Sequence, residues 1–306
     1  IYPNNFGVIK DFNYGVTRSD ALDALQYFLG NALENFGPYE DAMTIRGSVL
    51  FHSHLSMYLN VGLLNPKELC DSVIHHFEKN QTIPISSIEG FIRQIIGWRE
   101  YIRIYYEAMM PKVREANYFN FEKSLPAVYW TAKTKMKCMS ECVQPVIEKG
   151  YVHHIPRLMI LSNFSNLTGT DPRALNEWFW LGFIDAYEWV VLPNVLGMST
   201  FADGGILASK PYVAGGNYVN KMSDYCNQCS YSVKEKTGNK ACPMNYLYWN
   251  FIDQQRETFS KSGRASFMVK TFDKKSIQEK NAIKASSEKF LAELPRLSKE
   301  EWLNNA

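Results

Sequence analysis

KPYVAGGNYVNKMSDYCNQCSY, residues 210–231, followed by TGNKACP, residues 237–243, holds three of the six cysteines in this 306-residue chain. Their spacing, C-x2-C-x12-C-P, joins Cys226, Cys229 and Cys242. Two thiolates separated by two residues can reach one metal centre, and the intervening loop is long enough to bring the third back to it. A fourth ligand is available from Cys138 or Cys142, which share a helical face if residues 132–144 form a helix ending before Pro145. Spacing chooses neither between these two cysteines nor between a structural zinc ion and an iron-sulfur cluster. Cys70 lies in an amphipathic helical pattern and reads as a core thiol. Around the metal motif, residues 199–245 are rich in Pro, Ser, Asn and Gly. So long an irregular stretch is expected to be ordered by the ligands it holds.

Outside this region helix signals dominate. Thr17, with Asp20 three residues on, caps a pattern of Ala21, Leu22, Leu25, Phe28 and Leu29 on one helical face. Asn65-Pro66 and Asp171-Pro172 each combine a capping side chain with a proline at the first helical position. Ser86-x-x-Glu89 matches a capping box ahead of Phe91, Ile92, Ile95 and Trp98. A long helix is expected after each of these three. No alternation of strand, glycine-rich phosphate loop and helix is present, which argues against a dinucleotide-binding sheet within these residues. The fold class expected is all-α. Beyond Lys261 the chain turns to Lys, Glu and Ser, with Ile283, Phe290, Leu291 and Leu294 in a loose helical pattern that is expected to pack on the surface or lead to a flexible end.

Composition narrows the function classes less than the motifs do. The 18 Tyr, 18 Phe and 7 Trp suit either a large aromatic core or the enclosure of an aromatic cofactor. A net charge of +2 neither supports nor excludes nucleic acid, because basic residues can gather on one face. The first residues, IYPNNFGVIKDFNYGV, do not read as a signal peptide. The longest apolar stretch, 178–198, contains Asp185 and Glu188, which argues against a membrane span. A cytoplasmic protein with no membrane contact is expected, and there cysteines suggest metal before disulfides.

Four further segments complete the pattern: FHSHLSMYLNVGLLNP (51–66), RQIIGWREYIR (93–103), GYVHHIPRLMIL (150–161) and DPRALNEWFWLGFIDAYEWVVLPNVLG (171–197). Together with 210–243 they resemble, from about residue 17 to about 255, the flavin-binding half of the photolyase and cryptochrome family, specifically its iron-sulfur bacterial branch of (6-4) photolyases. The resemblance implies that Ser53, Leu55 and Ser56 hold the flavin diphosphate, with His52 standing where the family has threonine. The start of a helix suits an anion, since its amides are unpaired. It further implies that Arg99 pairs with the flavin phosphates, that Gln94 lines the cofactor pocket and that Trp98 stands at the mouth, where a flipped lesion stacks. His154 would hydrogen-bond and donate a proton to the lesion, with His153 beside it, while Arg157 pairs with Asp185 next to the flavin. Leu158 occupies the place of a second histidine in animal members, and that role passes to Tyr212 or Tyr218. Asn194 would face the flavin N5. Trp178, seven residues before Asp185 and so expected on the same helical face, would be the first hop of a photoreduction path, with Trp130 a further candidate. Phe179 stands where the branch often has a tyrosine.

The same resemblance decides for a [4Fe-4S] cluster over zinc and selects Cys138 to join Cys226, Cys229 and Cys242. What it implies overall is a helical FAD-binding domain with a long ordered loop region around the cluster. Residues 1–16 would be a linker remnant, 17–260 the cofactor domain and 261–306 a C-terminal tail or helix. The family's N-terminal α/β antenna domain, with its light-harvesting chromophore, finds no match, so the chain reads as a fragment. The implied activity is light-dependent repair of (6-4) pyrimidine photoproducts in damaged DNA by a monomer. The rival readings are a non-repairing cryptochrome acting as a blue-light receptor, and a helical nucleic-acid-binding module with a structural cluster or zinc.

Overall fold

The Thr17 side chain accepts from the Asp20 amide, and Asp20 Oδ2 accepts from the Thr17 amide at 2.9 Å, so the expected capping box opens the helix Arg18–Asn31. Asn65 and Glu68 form the same reciprocal pair at the start of Pro66–Lys79, and Asp171 caps Pro172–Gly182. These are the first steps of an architecture that is 61% helical, with only isolated β-bridges among the described residues. The computed structural model describes residues 6–305 apart from positions 11 and 264. Residues 1–5 of the expected linker lie outside the described residues.

Buried side chains form two principal cores. One gathers Leu25, Phe28, Leu33, Phe36, Leu69, Val73 and Phe91 from the first hundred residues. The other gathers Val143, Ile160, Phe164, Trp178, Leu247 and Phe251 from the rest. No helix is long and apolar enough to cross a membrane among the described residues.

Three helical runs change pitch midway. Ile85–Ile92 continues as a π-helix over Arg93–Arg99 and then as α-helix over Glu100–Met109. His154–Pro156 leads into a π stretch at Arg157–Ser162, and Glu188–Leu192 into one at Pro193–Ser199. Pro156 and Pro193 lack the N–H that an α turn would use and stand at the entry of the last two. Wide turns of this kind are uncommon and concentrate where function requires them.

Three sequence expectations are corrected. Ser86 and Glu89 form no capping box: the helix begins at Ile85 behind Pro84 without a side-chain cap. Ser87 is engaged instead, accepting from the Gly37 amide and donating to Glu34 O. The helix bearing Cys138 and Cys142 runs over Lys137–Lys149 with Pro145 inside it, rather than stopping before that proline. It also starts late, because Ala132 takes a left-handed conformation (φ 55°) and closes the preceding short helix. The helix of Trp178 ends at Gly182, so Asp185 lies in the turn beyond it and shares no helical face with Trp178. The C-terminal segment is helical and lies on the surface with one side against the larger core. Ile277–Glu293 buries Ile283 and packs Phe290 and Leu291 against the larger core. Arg296 donates to Thr168 O at 2.7 Å and to Ser124 O, tying the chain down after that helix.

Candidate cofactor cavity and cysteine pocket

Where the two cores part, Phe36, Phe91 and Ile95 face Leu158, Phe179 and Val195 across a cavity of about 310 Å³. Each π stretch supplies part of its wall: Gln94, Trp98 and Arg99; Arg157, Leu158 and Ser162; Asn194, Met198 and Ser199. Its size lies at the lower end of small-molecule sites.

A polar chain crosses this otherwise apolar space. Arg157 grips Asp185 with two parallel bonds, both 3.0 Å, and its Nε donates to Val152 O at 2.6 Å. The Arg157 guanidinium also lies over the rings of Phe183 (4.3 Å) and Tyr151 (4.9 Å). Ser56 donates to Asp185 Oδ2 at 2.7 Å. Burial pushes the Asp185 carboxyl up, but the charge and hydrogen bonds of Arg157, with that of Ser56, outweigh burial and hold it below the usual range. Asn60 carries the chain onward, donating to Asp185 O at 2.9 Å and accepting from Arg99 at 3.3 Å. Arg99 lies 4.6 Å over the Trp189 ring, and its Nε is buried without a partner. Burial lowers its pKa, so the cavity holds an incompletely compensated guanidinium. That is a fit for an anionic group, and the aromatic and aliphatic walls fit a flat ring system beside it.

The remaining polar groups flank this chain. Gln94 donates to Glu40 Oε1 at 2.9 Å, and both line the cavity. Trp98 Nε1 donates to Asn194 Oδ1 at 3.2 Å, while Asn194 Nδ2 donates to Val190 O, which fixes the orientation of the amide. His154 is exposed only towards the cavity, with protein around it. Burial and then Arg157 push its pKa down to about 4, so its ring is neutral near pH 7. His153 is 1% exposed and does not line the cavity. It stacks on His52 with ring centroids 4.2 Å apart, its Nδ1 unpartnered, and burial with His52 and His154 nearby takes it to about 2.

Most of the residues assigned by the sequence thus meet in one place: Ser53, Ser56, Gln94, Trp98, Arg99, His154, Arg157, Asp185 and Asn194. Others do not reach it. Leu55 is buried in the smaller core. Tyr212 lies beside Lys210, and Tyr218 packs on the larger core; neither lines the cavity, because Asn163 and Asn245 hold the 214–216 backbone on the cysteine side. Trp178 is fully buried behind Phe179, which takes the wall position, and Trp130 lies further out. The sequence reading missed Glu40, Asn60, Tyr151 and Trp189. Asn60 was findable, since it stands one helical turn after Ser56. Glu40 and Trp189 carry no motif.

Cys138, Cys226, Cys229 and Cys242 line a second, small pocket, while Cys142, one turn along the same helix, instead points its thiol at Tyr225 Oη (3.9 Å). Burial raises the pKa of Cys138 well above the ordinary thiol value, and the neighbouring cysteines raise it further. Gly216 allows the close approach on the opposite side: a Cβ there would fall 2.8 Å from Cys242 Sγ. The pocket has room for only a water-sized body. Among the described residues no three His, Cys, Asp or Glu side chains converge as a site for a single metal ion.

The class the fold defines is a helical protein whose two cores separate around one cavity lined by arginines and aromatic rings. No protein-family model matches the sequence. The chain is 45% identical over 294 residues to the (6-4) photolyase of Agrobacterium fabrum, a match covering 96% of this chain and 58% of that protein. An uncharacterised protein of Acanthamoeba polyphaga mimivirus is 37% identical over 106 residues, covering 35% of this chain and 79% of the viral protein. In fold, the chain matches a bacterial class III photolyase from Agrobacterium tumefaciens (TM-score 0.53, 18% identity, 86% of this chain and 57% of that one). It also matches a cryptochrome from Synechocystis (TM-score 0.55, 14% identity, 98% of this chain and 56% of that one). This chain belongs to the photolyase and cryptochrome family. It spans a little over half the length of the photolyase it matches.

Proposed function

We propose that this chain is the flavin-binding, helical part of a light-dependent DNA repair protein that acts on (6-4) pyrimidine photoproducts. The observation that carries this reading is the unbroken chain Arg99–Asn60–Asp185–Arg157 in the same cavity as His154. FAD is the cofactor proposed, and when bound it supplies light absorption and the transferable electron. Arg99 and Ser56 would hold its phosphates, and the Arg157–Asp185 pair would border its ring. Similarity to the Agrobacterium (6-4) photolyase supports the substrate class.

The chain's own groups then have separable tasks. Trp98 presents an aromatic face on the cavity wall against which an extruded base can stack. Apolar side chains such as Leu158 and Val195 exclude water from the site. His154 supplies the proton. Burial and Arg157 disfavour its charged form. Negative charge brought in by a nucleic-acid phosphate offsets Arg157 and raises the imidazole pKa, so proton donation is coupled to substrate occupancy. His154→Ala should abolish repair of a (6-4) lesion while flavin content stays as in the parent; full repair by the variant would remove His154 from the mechanism.

For the four cysteines we propose a [4Fe-4S] cluster. Four cysteines lining one largely apolar pocket are the residue types such a cluster uses. Loading it requires the partly exposed Cys226–Cys229 turn to move outward from the buried Cys138 and Cys242. The alternative reading, a photoreceptor without repair activity, draws on Leu158, an apolar side chain on the cavity wall at the place where the resemblance puts a second histidine in animal members. Repair assays on a (6-4) lesion separate the two.

A further inference from the structure

A carboxylate, Glu40, stands on the wall of a cavity whose arginines suit an anion. It follows the helix Leu33–Tyr39, and its carbonyl accepts from His52 Nε2 at 3.1 Å, with Phe36 edge-on to the His52 ring at 5.9 Å. Its side chain meets Gln94, which donates from Nε2 to Glu40 Oε1 at 2.9 Å. Gln94 is exposed as well as lining the cavity, so the pair sits at the mouth. An ionised carboxyl only accepts, which fixes the amide of Gln94 with its nitrogen towards Glu40. One of the two Nε2 hydrogens is used there; the other, and Glu40 Oε2, make no further bond among the described residues. The nearby Arg93 is engaged by Glu89 at 3.3 Å, and among the described residues no cation pairs with Glu40. Burial, then Asp41, push the Glu40 carboxyl up, against the pull of Gln94 and Arg93. A carboxylate so placed gains from one more donor. Trp98 stands about one turn beyond Gln94 in the π stretch Arg93–Arg99, its ring held by the bond from Nε1 to Asn194. A base stacked on that ring turns its edge to its neighbours on the same wall.

We propose that Glu40 is a specificity-determining residue that accepts the imide N3–H of a thymine ring brought to the cavity mouth, while the second Nε2 hydrogen of Gln94 goes to the carbonyl beside it. The inference rests on the repair reading above. A thymine edge sets one donor, N3–H, between two carbonyl acceptors. In a (6-4) photoproduct of two thymines only the 5′ ring keeps that edge, because the 3′ ring becomes a pyrimidinone without an N3–H. Glu40 and Gln94 offer an acceptor next to a donor, the order this edge requires. A site built on such a bond rejects an analogue that lacks the donor, since the acceptor is then left unpaired. The charge of Glu40 also repels a phosphate, so the pair favours a base edge over the nucleic-acid backbone at this point of the mouth.

The test is a double-mutant cycle across this contact, read by equilibrium binding in the dark to the flavin-loaded full chain. The probes are a duplex carrying a thymine–thymine (6-4) lesion, the same duplex with the 5′ base of the lesion methylated at N3, and the undamaged duplex. The proteins are the parent, Glu40→Gln and Glu40→Ala. Removing a negative charge tightens binding of any DNA, so the quantity read is the preference for the unmethylated over the methylated lesion. It should be about tenfold or more in the parent, smaller in Glu40→Gln, and within about twofold of unity in Glu40→Ala, which has room for the methyl group. A methylation penalty of the same size in the parent and in both variants would overturn the contact, because a carboxylate that only shapes the mouth shifts both lesions equally. A parent that binds flavin yet holds the lesion no tighter than undamaged DNA overturns the repair reading itself, and the contact with it.

Discussion

Asp185→Asn removes one charge from the centre of the cavity network and leaves its shape intact. Asp185 is 6% exposed, and Arg157, its bidentate partner, is mostly buried. The substitution leaves a guanidinium with no countercharge in a low-dielectric site, and breaking a buried pair in this way costs about 3–5 kcal/mol. The lower end applies, because Arg157 keeps Val152 O and the faces of Tyr151 and Phe183. About 3 kcal/mol lowers the Tm of a chain this size by roughly 5 °C. The assay is a thermal melt of variant and parent without added flavin across pH 7 to 3. The folded carboxyl lies below its ordinary 3.8, so the pair's contribution is complete above that value and is lost as pH falls through the folded pKa. The gap between parent and variant should therefore hold constant down to about pH 4 and close only below it. A variant that melts within about 1 °C of the parent at pH 7 would refute the claim that this pair organises the cavity.

Acid should destabilise the chain earlier than its carboxylates require. His153 titrates near 2 in the folded protein against 6.5 unfolded, so the unfolded state binds the extra proton and stability is lost as pH falls below 6.5. That single residue removes about 1.4 kcal/mol per pH unit below the unfolded value, and His153→Phe should flatten the slope of Tm between pH 6 and 5. Arg99→Gln should leave the melt near that of the parent while weakening flavin binding by about one to two orders of magnitude, the loss of a charged hydrogen bond to phosphate, as read by fluorescence titration. Cys138→Ser should strip iron and sulfide from the protein, whereas Cys142→Ser should retain both, because only Cys138 faces Cys226, Cys229 and Cys242. Equal iron loss in the two variants would contradict that ligand set.

The parts of this molecule legible in its sequence are those governed by local rules. Thr17, Asn65 and Asp171 start helices because a capping oxygen satisfies amides two or three residues away, a bond set by spacing alone. Ser86 was misread because its neighbour Ser87 bonds to Gly37 in the helix Leu33–Tyr39, and the helix begins at Ile85 behind Pro84 without a side-chain cap. Pro145 was read as a stop, yet the helix continues through it because Cys142, Val143 and Val146 are packed in the larger core. The pairing of Arg157 with Asp185 came from resemblance, and no periodicity would have found it, since a turn rather than a helix places Asp185. Trp178 illustrates the same limit: counting seven residues put it on the cavity face, but the helix ends at Gly182 and Phe179 takes that place. Glu40 stood outside every motif because its place on the cavity wall depends on where distant elements dock.

The central claim is that the cavity between the two cores holds FAD. Acid release of chromophore from the purified full chain, reconstituted with FAD and freed of excess ligand, with the released compound identified and counted per chain, tests this directly. The account predicts FAD near one per chain in the parent and strong depletion in Arg99→Gln. A folded parent chain that retains no flavin, or an Arg99→Gln variant that retains it undiminished, would contradict it.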